Sequence, residues 1–301
     1  MESIFIQISS YHDYELPKTI INAMKMSSGK YQINFGIHHI YHKVDDIKIP
    51  ALPNVKYSVS KSPNNLGMGI GRSIAHKFYN GEDYYLQIDA HSRFDPNWDE
   101  FIVSEVKRFK DMGFDKPLLT LYPKNYWYVD DVEHFDPSSD ENTYISFHEN
   151  KEQFKNNRFP SQTAMANHDN IFAKSVSGGC IFTVGEFVVP NNKIFANGEE
   201  IFIAARAFTN GYDLLIPKHT YMSHLYYDGS NPDNNRRRLV WHDVSPDLLN
   251  ALTTISYQEI FNMFTQNLVG PEHLGSDRTL NDFEIYSGLN FATGEVEDDM
   301  V

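Results

Sequence analysis

Residues 84–94 read YYLQIDAHSRF, an aromatic and aliphatic run of the kind a buried β-strand uses, ending in Asp89 and His91 two positions apart. If residue 90 is extended, the side chains at 89 and 91 project to the same side, so a carboxylate oxygen and an imidazole nitrogen can reach one point. A strand-end aspartate capping a turn beside a surface histidine would leave the same pattern. The choice depends on the elements around this strand.

Upstream, IFIQISSY has strand composition, and ELPKTIINAMKMS spaces its apolar residues like a helix that stops near Gly29. YQINFGIHH and VKYSVSK read as two further strands, and RSIAHKFYNG, after the glycine-interrupted NNLGMGIG, as a helix feeding YYLQID. Strands alternating with helices predict an α/β fold, a mostly parallel central sheet flanked by helices. Ligands of such sheets bind beyond the carboxyl ends of the strands, where Asp89 and His91 lie.

Downstream, a helix is expected from Asp95 and Pro96 through DPNWDEFIVSEVKRFKDMGF, then a strand in PLLTLYP. From Lys124 to Asn170 periodicity is weak, which predicts a long irregular insertion. SGGCIFTVGEFVVP and YDLLIP read as strands around a helix in GEEIFIAARAFTNG. The expected organisation is a main domain over 1–240, with 124–170 as an irregular insertion beside its sheet, and a helical or irregular extension over 241–301 packed on it.

The chain has 301 residues, 41% hydrophobic and 14% aromatic, enough for a substantial core. Its formal charge of -14 disfavours nonspecific binding to phosphate backbones. One cysteine, Cys180, excludes an internal disulfide and a multi-cysteine zinc site and suits a reducing compartment. No apolar run approaches the length of a membrane span, so the expectation is a soluble cytoplasmic protein with no membrane partner.

Asp89 and His91 supply one hard oxygen and one borderline nitrogen, a mixture that suits Mn²⁺ better than Ca²⁺. Beyond the pair, YYLQIDAHSRFDPNWD resembles the signature of the GlcNAc-transferase family that includes the cytoplasmic Skp1 hydroxyproline N-acetylglucosaminyltransferases. IFIQISSYHDYELPKTI, GEEIFIAARAFTNGYDLLIP, the HLYY segment around His224 and SDRTLNDFEIYSGLNF match in the same order. The resemblance implies a GT-A fold, a UDP-sugar donor, Mn²⁺ or Mg²⁺ as cofactor, and transfer of GlcNAc or a related hexose with retention of configuration. It also implies His224 as the third metal ligand; beside Tyr226 and Tyr227, a merely packed histidine is the alternative.

Arg72, in a segment resembling the family's Gly-x-x-x-x-Arg stretch, is expected to start a helix and touch the donor diphosphate, or else to form a surface ion pair. Ser9, Ser10 and Tyr11 lie where the first strand of a GT-A fold meets base and ribose, or are turn residues. Gly178 and Gly179 would let backbone approach the sugar, or form a tight turn. Glu199 and Glu200 start a helix where GT-A enzymes place an acid, though two acids there also suit the helix dipole; Glu200 is favoured as catalytic. Arg206 is a support residue. Arg236, Arg237 and Arg238, with His242, either hold diphosphate on a closing loop or form a solvated face. Tyr122, Tyr126, Trp127 and Tyr128 offer a stacking surface for sugars or bases, or fill core. The acceptor is a protein hydroxyl or small molecule in preference to nucleic acid. The Lys, Asn and Ile content also suggests a viral chain, for which hydroxymethylated DNA bases are an alternative acceptor. A non-catalytic nucleotide-sugar-binding module and a phosphoester hydrolase are the competing classes, the latter short of carboxylates for two metals.

Overall fold

The computed structural model describes residues 1–136, 143–148, 161–166, 170–226 and 238–296, with thirteen strands and seven helices among them. The central sheet has seven strands: β1 (Ser3–Tyr11), β2 (Gln32–Tyr41), β3 (Val55–Lys61), β4 (Tyr84–Asp89), β6 (Pro117–Thr120), β11 (Cys180–Val184) and β12 (Asp213–Leu215). Their order is β12-β6-β11-β4-β1-β2-β3, parallel throughout except for β11, which runs antiparallel to both neighbours.

Period-two alternation divides β1 and β4 between two cores. Ile4, Ile6 and Ile8, with Tyr84, Leu86 and Ile88, pack under α1 (Leu16–Met26) and α3 (Trp98–Asp111). The opposite face carries Phe5 and Tyr85, which join the core beneath α4 (Glu199–Thr209). Along that face polarity rises toward the carboxyl end, through buried Gln7 to Ser9 on β1 and through buried Gln87 to Asp89 on β4. Buried amides must be paired, and these two tie down functional backbone. Gln7 Nε2 donates to the Arg72 carbonyl at 2.7 Å and Gln87 Nε2 to the Gly178 carbonyl at 2.8 Å.

α2 spans Met68–His76, so the expected start near Arg72 is corrected: the helix begins four residues earlier and Arg72 lies in its second turn. Glycine is needed inside it. A Cβ on Gly69 would fall 2.0 Å from the Asn191 carbonyl oxygen, and one on Gly71 would fall 2.1 Å from Ser9 Oγ. Close approach to the 191–194 segment at Gly69 and to β1 at Gly71 outweighs the roughly 1 kcal/mol that each glycine costs a helix relative to alanine.

A four-stranded sheet adjoins the first, in the order β5 (Ser92–Phe94), β13 (Met222–His224), β7 (Lys124–Val129), β8 (Val132–Phe135). A further antiparallel pair joins β9 (Thr143–His148) to β10 (Ser161–Ala166). The irregular insertion expected over 124–170 is therefore corrected to four strands within its described residues. The β7–β8 hairpin turns at Asp130 and Asp131, both at positive φ, 49° and 64°, as a type I′ turn requires. Its Asp-Asp pair lacks the glycine that usually announces that turn, and Trp127 and Val129, apolar on the face opposite buried Tyr126 and Tyr128, hid the strand period.

The extension comprises α5 (Val240–Asp243), α6 (Pro246–Gln266) and α7 (Leu280–Ser287). Ile260, Met263 and Phe283 enter the same core as α4. Arg206, 1% exposed, stitches them together by donating to the carbonyls of Val189, Pro271 and His273. No helix among the described residues is long and apolar enough to cross a membrane.

Candidate active site

β4 ends at Asp89, the chain turns at Ala90 and His91, and β5 enters the second sheet. Residue 90 is thus in a turn, not extended, and the two side chains converge for another reason. Thr19 of α1 clamps the turn, donating to the Ala90 carbonyl at 2.7 Å and accepting from Ser92 N at 3.1 Å. β13 pairs antiparallel with β5, placing His224 opposite Ser92. Asp89, His91 and His224 each offer a ligand atom, all within 4.8 Å of one another. His224 Nε2 lies 3.2 Å from Asp89 Oδ2, and the two imidazoles meet edge to face with centroids 4.4 Å apart.

These residues fit a divalent first-row cation. The donor set is one carboxylate and two imidazoles, mixed enough for Mn²⁺ and too nitrogen-rich for a Ca²⁺ cage. His91 Nδ1 is 2.7 Å from Asp13 Oδ2, which makes Nε2 the nitrogen assigned to the cation. Burial opposes ionisation of Asp89, but the His224 hydrogen bond, Arg72 and His91 together hold its carboxyl well below the usual carboxylate range. It stands ready as an anionic ligand.

Asp13 was not foreseen. It sits three residues before α1, where an aspartate reads as a helix-start residue, and it does accept from Glu15 N at 2.9 Å. Its second oxygen orients the metal-site histidine. Asp13→Asn is expected to weaken Mn²⁺ binding about 10–100-fold, the usual consequence of losing a carboxylate behind a ligand histidine. A manganese titration followed by electron paramagnetic resonance measures this, and unchanged affinity would remove Asp13 from the site.

The site opens into a cleft of about 210 Å³. Ser9, Ser10 and Tyr11 line it at the end of β1, facing Arg72, Asp13, Asp89 and His91; Phe195, Ala196 and residues 238–241 form the remaining wall. Trp241, not the expected His242, reaches it, and His242 is exposed. Arg238 lines the cleft but is engaged by Asp243, at 2.7 Å from Nε. Arg236 and Arg237 lie outside the described residues. The stacking surface expected of the tyrosines is corrected: Tyr126 and Tyr128 are buried, and both hydroxyls donate to buried Glu15, which also pairs with Arg93. Tyr122 stacks on Tyr226 at 5.0 Å and Trp127 on His134 at 6.0 Å.

Arg72 is 2% exposed, and its Nε donates to Glu199 at 2.7 Å while Nη2 lies 3.3 Å from Asp89. Its Nη1 is buried without a hydrogen-bond partner in the protein. Gly178 and Gly179 fill the angle between the carboxylates; a Cβ would fall 3.1 Å from Glu199 Oε2 at 178 and 2.7 Å from Asp89 Oδ2 at 179. Their small size serves these acids directly.

Glu199 and Glu200 follow each other on α4 but have different surroundings. Glu199 is locked to Arg72, whereas burial first, and then the neighbouring Glu199 charge, push the Glu200 carboxyl up to about 7. Because the folded form holds this proton more tightly than an unfolded glutamate, the Glu200 contribution to stability is lost as pH rises from about 4.5 to about 7. Glu200→Gln is therefore expected to melt at higher temperature than wild type at pH ~8, by an equivalent of about 1–3 kcal/mol, and at the same temperature near pH ~4. Identical melting curves at both pH values would contradict a strained carboxyl.

The sequence family described as "Glycosyltransferase (GlcNAc)" matches residues 49–293. No curated protein matches the chain. Among solved structures, that of GalNAc-T7 with UDP, GalNAc and Mn²⁺ aligns at TM-score 0.53 and 15% identity, covering 94% of this chain and 54% of that one. The chain thus spans about half the length of that protein. Staphylococcus aureus TarS 1-349 in complex with UDP-GlcNAc aligns at TM-score 0.48 and 12% identity, covering 95% and 70% of the two chains. The fold is GT-A, as the resemblance implied.

Proposed function

The chain belongs to the GlcNAc glycosyltransferase family, and from that premise we propose that it is a metal-dependent, retaining enzyme moving GlcNAc or a related hexose from a UDP-sugar to an acceptor hydroxyl. The observation that carries this reading is the meeting of Asp89, His91 and His224 beside a cleft that the first two line together with Ser9, Ser10, Tyr11 and Arg72. A divalent cation, Mn²⁺ or Mg²⁺, held by those three residues would neutralise charge on a diphosphate leaving group.

The protein's own groups supply the rest. Ser9, Ser10 and Tyr11 receive the base and ribose at the end of β1. Arg72, already fixed by Gln7 and Glu199, offers an unused N–H to an anionic oxygen. Gly178 and Gly179, lacking side chains, let the Asp89 and Glu199 carboxylates keep their places beside the sugar. With retention, the acceptor oxygen bonds to the anomeric carbon on the face from which the diphosphate departs, and the hydroxyl proton passes to the departing phosphate oxygen. Glu199, bound to Arg72, positions; Glu200, with no guanidinium on it, is the acid that meets sugar or acceptor. In this assignment residues 1–240 carry the chemistry, and 241–301 brace them and lend Trp241 to the cleft.

Calorimetry with UDP-GlcNAc, UDP-glucose and UDP-galactose, each with and without Mn²⁺, tests the reading. One donor should bind, and only with the metal. Equal heats for all three, or binding indifferent to Mn²⁺, would refute it.

A further inference from the structure

A second cavity, of about 350 Å³, opens beside the donor cleft and shares Phe195, Ala196 and Trp241 with it. Its far wall is α6, through Thr253, Ser256 and Tyr257, and its rim includes Asn197, two residues before Glu199. Trp241 keeps 48% of its surface exposed. Ser256 Oγ accepts from Phe195 N at 3.1 Å, which pins the partition between the two spaces. Among the described residues, none of those lining it carries a charge. The cations close by are already engaged, Lys193 by Glu259 at 2.8 Å and Arg238 by Asp243.

We propose that this cavity is the acceptor subsite and that its ligand is a neutral saccharide; the proposal rests on the transferase reading above. A sugar ring has a C–H face that packs on indole or phenol and a hydroxyl edge that bonds to amide and hydroxyl groups. Trp241 and Tyr257 supply the first kind of surface, Asn197 and Thr253 the second. The volume falls at the lower end of small-molecule sites, about 300–1,000 Å³. A nucleic acid would need cations along its phosphates, and the lining has none among the described residues, on a chain of net charge -14. An extended peptide would seek a free strand edge, whereas these walls are α5, α6 and the 195–197 turn. A saccharide against Trp241 borders the donor cleft, and past Asn197 lies the start of α4 with both glutamates. One of its hydroxyl oxygens forms the new bond to the donor's anomeric carbon as the bond to the diphosphate breaks, and its proton leaves with the diphosphate.

The test uses the full chain with UDP and Mn²⁺ present. Neutral mono- to trisaccharides, a hydroxyproline peptide and a hydroxymethylated DNA duplex are titrated in turn, read by calorimetry and tryptophan fluorescence. At least one saccharide should bind with a fluorescence change that Trp241→Phe removes. Tyr257→Ala, which empties the cavity, and Thr253→Phe, which fills it, should each weaken that binding at least about tenfold. Either variant alone suffices should the other fail to fold. Saccharide binding untouched by the folded variants, or binding of the peptide or the DNA with no saccharide, overturns the proposal. UDP-GlcNAc is titrated on the same preparation: if it binds while no saccharide does, the subsite assignment falls and the transferase stands. If no UDP-sugar binds, the transferase reading falls and this proposal with it.

Discussion

Asp89→Asn and His91→Gln should each lower kcat/KM for sugar transfer by at least about 10³-fold, equivalent to roughly 4 kcal/mol of transition-state stabilisation. Both keep the size and hydrogen-bonding capacity of the residue they replace, so thermal melts should stay near wild type while Mn²⁺ affinity falls. The asymmetry comes from where the residues sit. Asp89 lies at the mouth of the sheet with its side chain 27% exposed, and Arg72 retains Glu199 as a partner when the Asp89 charge is removed. Wild-type turnover in either variant, or an unchanged manganese titration, would end the metal assignment.

The second large effect concerns Arg72. Its guanidinium is buried between Glu199 and Asp89, and a single replacement strands Glu199, whose side chain is 4% exposed, without a countercharge. Breaking a buried pair from one side typically costs about 3–5 kcal/mol, so Arg72→Leu should unfold at markedly lower urea concentration and lose transfer. Replacing both partners removes the stranded charge. Arg72→Leu/Glu199→Leu should therefore recover most of the lost stability, yet remain inactive, because the guanidinium proposed to meet the donor is still missing. A double variant as unstable as the single one would show that packing, not charge, is at stake; an active double variant would show that Arg72 does not serve the donor.

Arg72 also sets the two neighbouring acids apart. On paper Glu199 and Glu200 are two carboxylates in the first turn of one helix, interchangeable by any argument from composition. In the folded chain Glu199 holds Arg72 at 2.7 Å, while for Glu200 burial and the Glu199 charge outweigh the pull of Arg72 and its carboxyl rises to about 7. A residue's partners across 127 positions of chain decide its role, and no local window contains them.

The strand pattern, by contrast, was open to reading. Hydrophobic alternation and helix spacing identify β1, α1, β2, β3, β4, α3 and α4, because burial on one face imposes a period on residues adjacent in sequence. The gradient from Phe5 through Gln7 to Ser9, and from Tyr85 through Gln87 to Asp89, already points at the carboxyl end as the polar end. Asp89 and His91 could be picked out as a ligand pair because they are near neighbours in the chain, although the turn at Ala90, not an extended strand, is what brings them together. The insertion strands escaped because their pairing partners and turn carry few local signals. Asp13, the burial of Tyr126 and Tyr128 against Glu15, the entry of Trp241 in place of His242, and the cavity behind it were beyond reach. Each is a contact between segments far apart along the chain, set by how two sheets and a returning helix pack, and packing in three dimensions leaves no period in one.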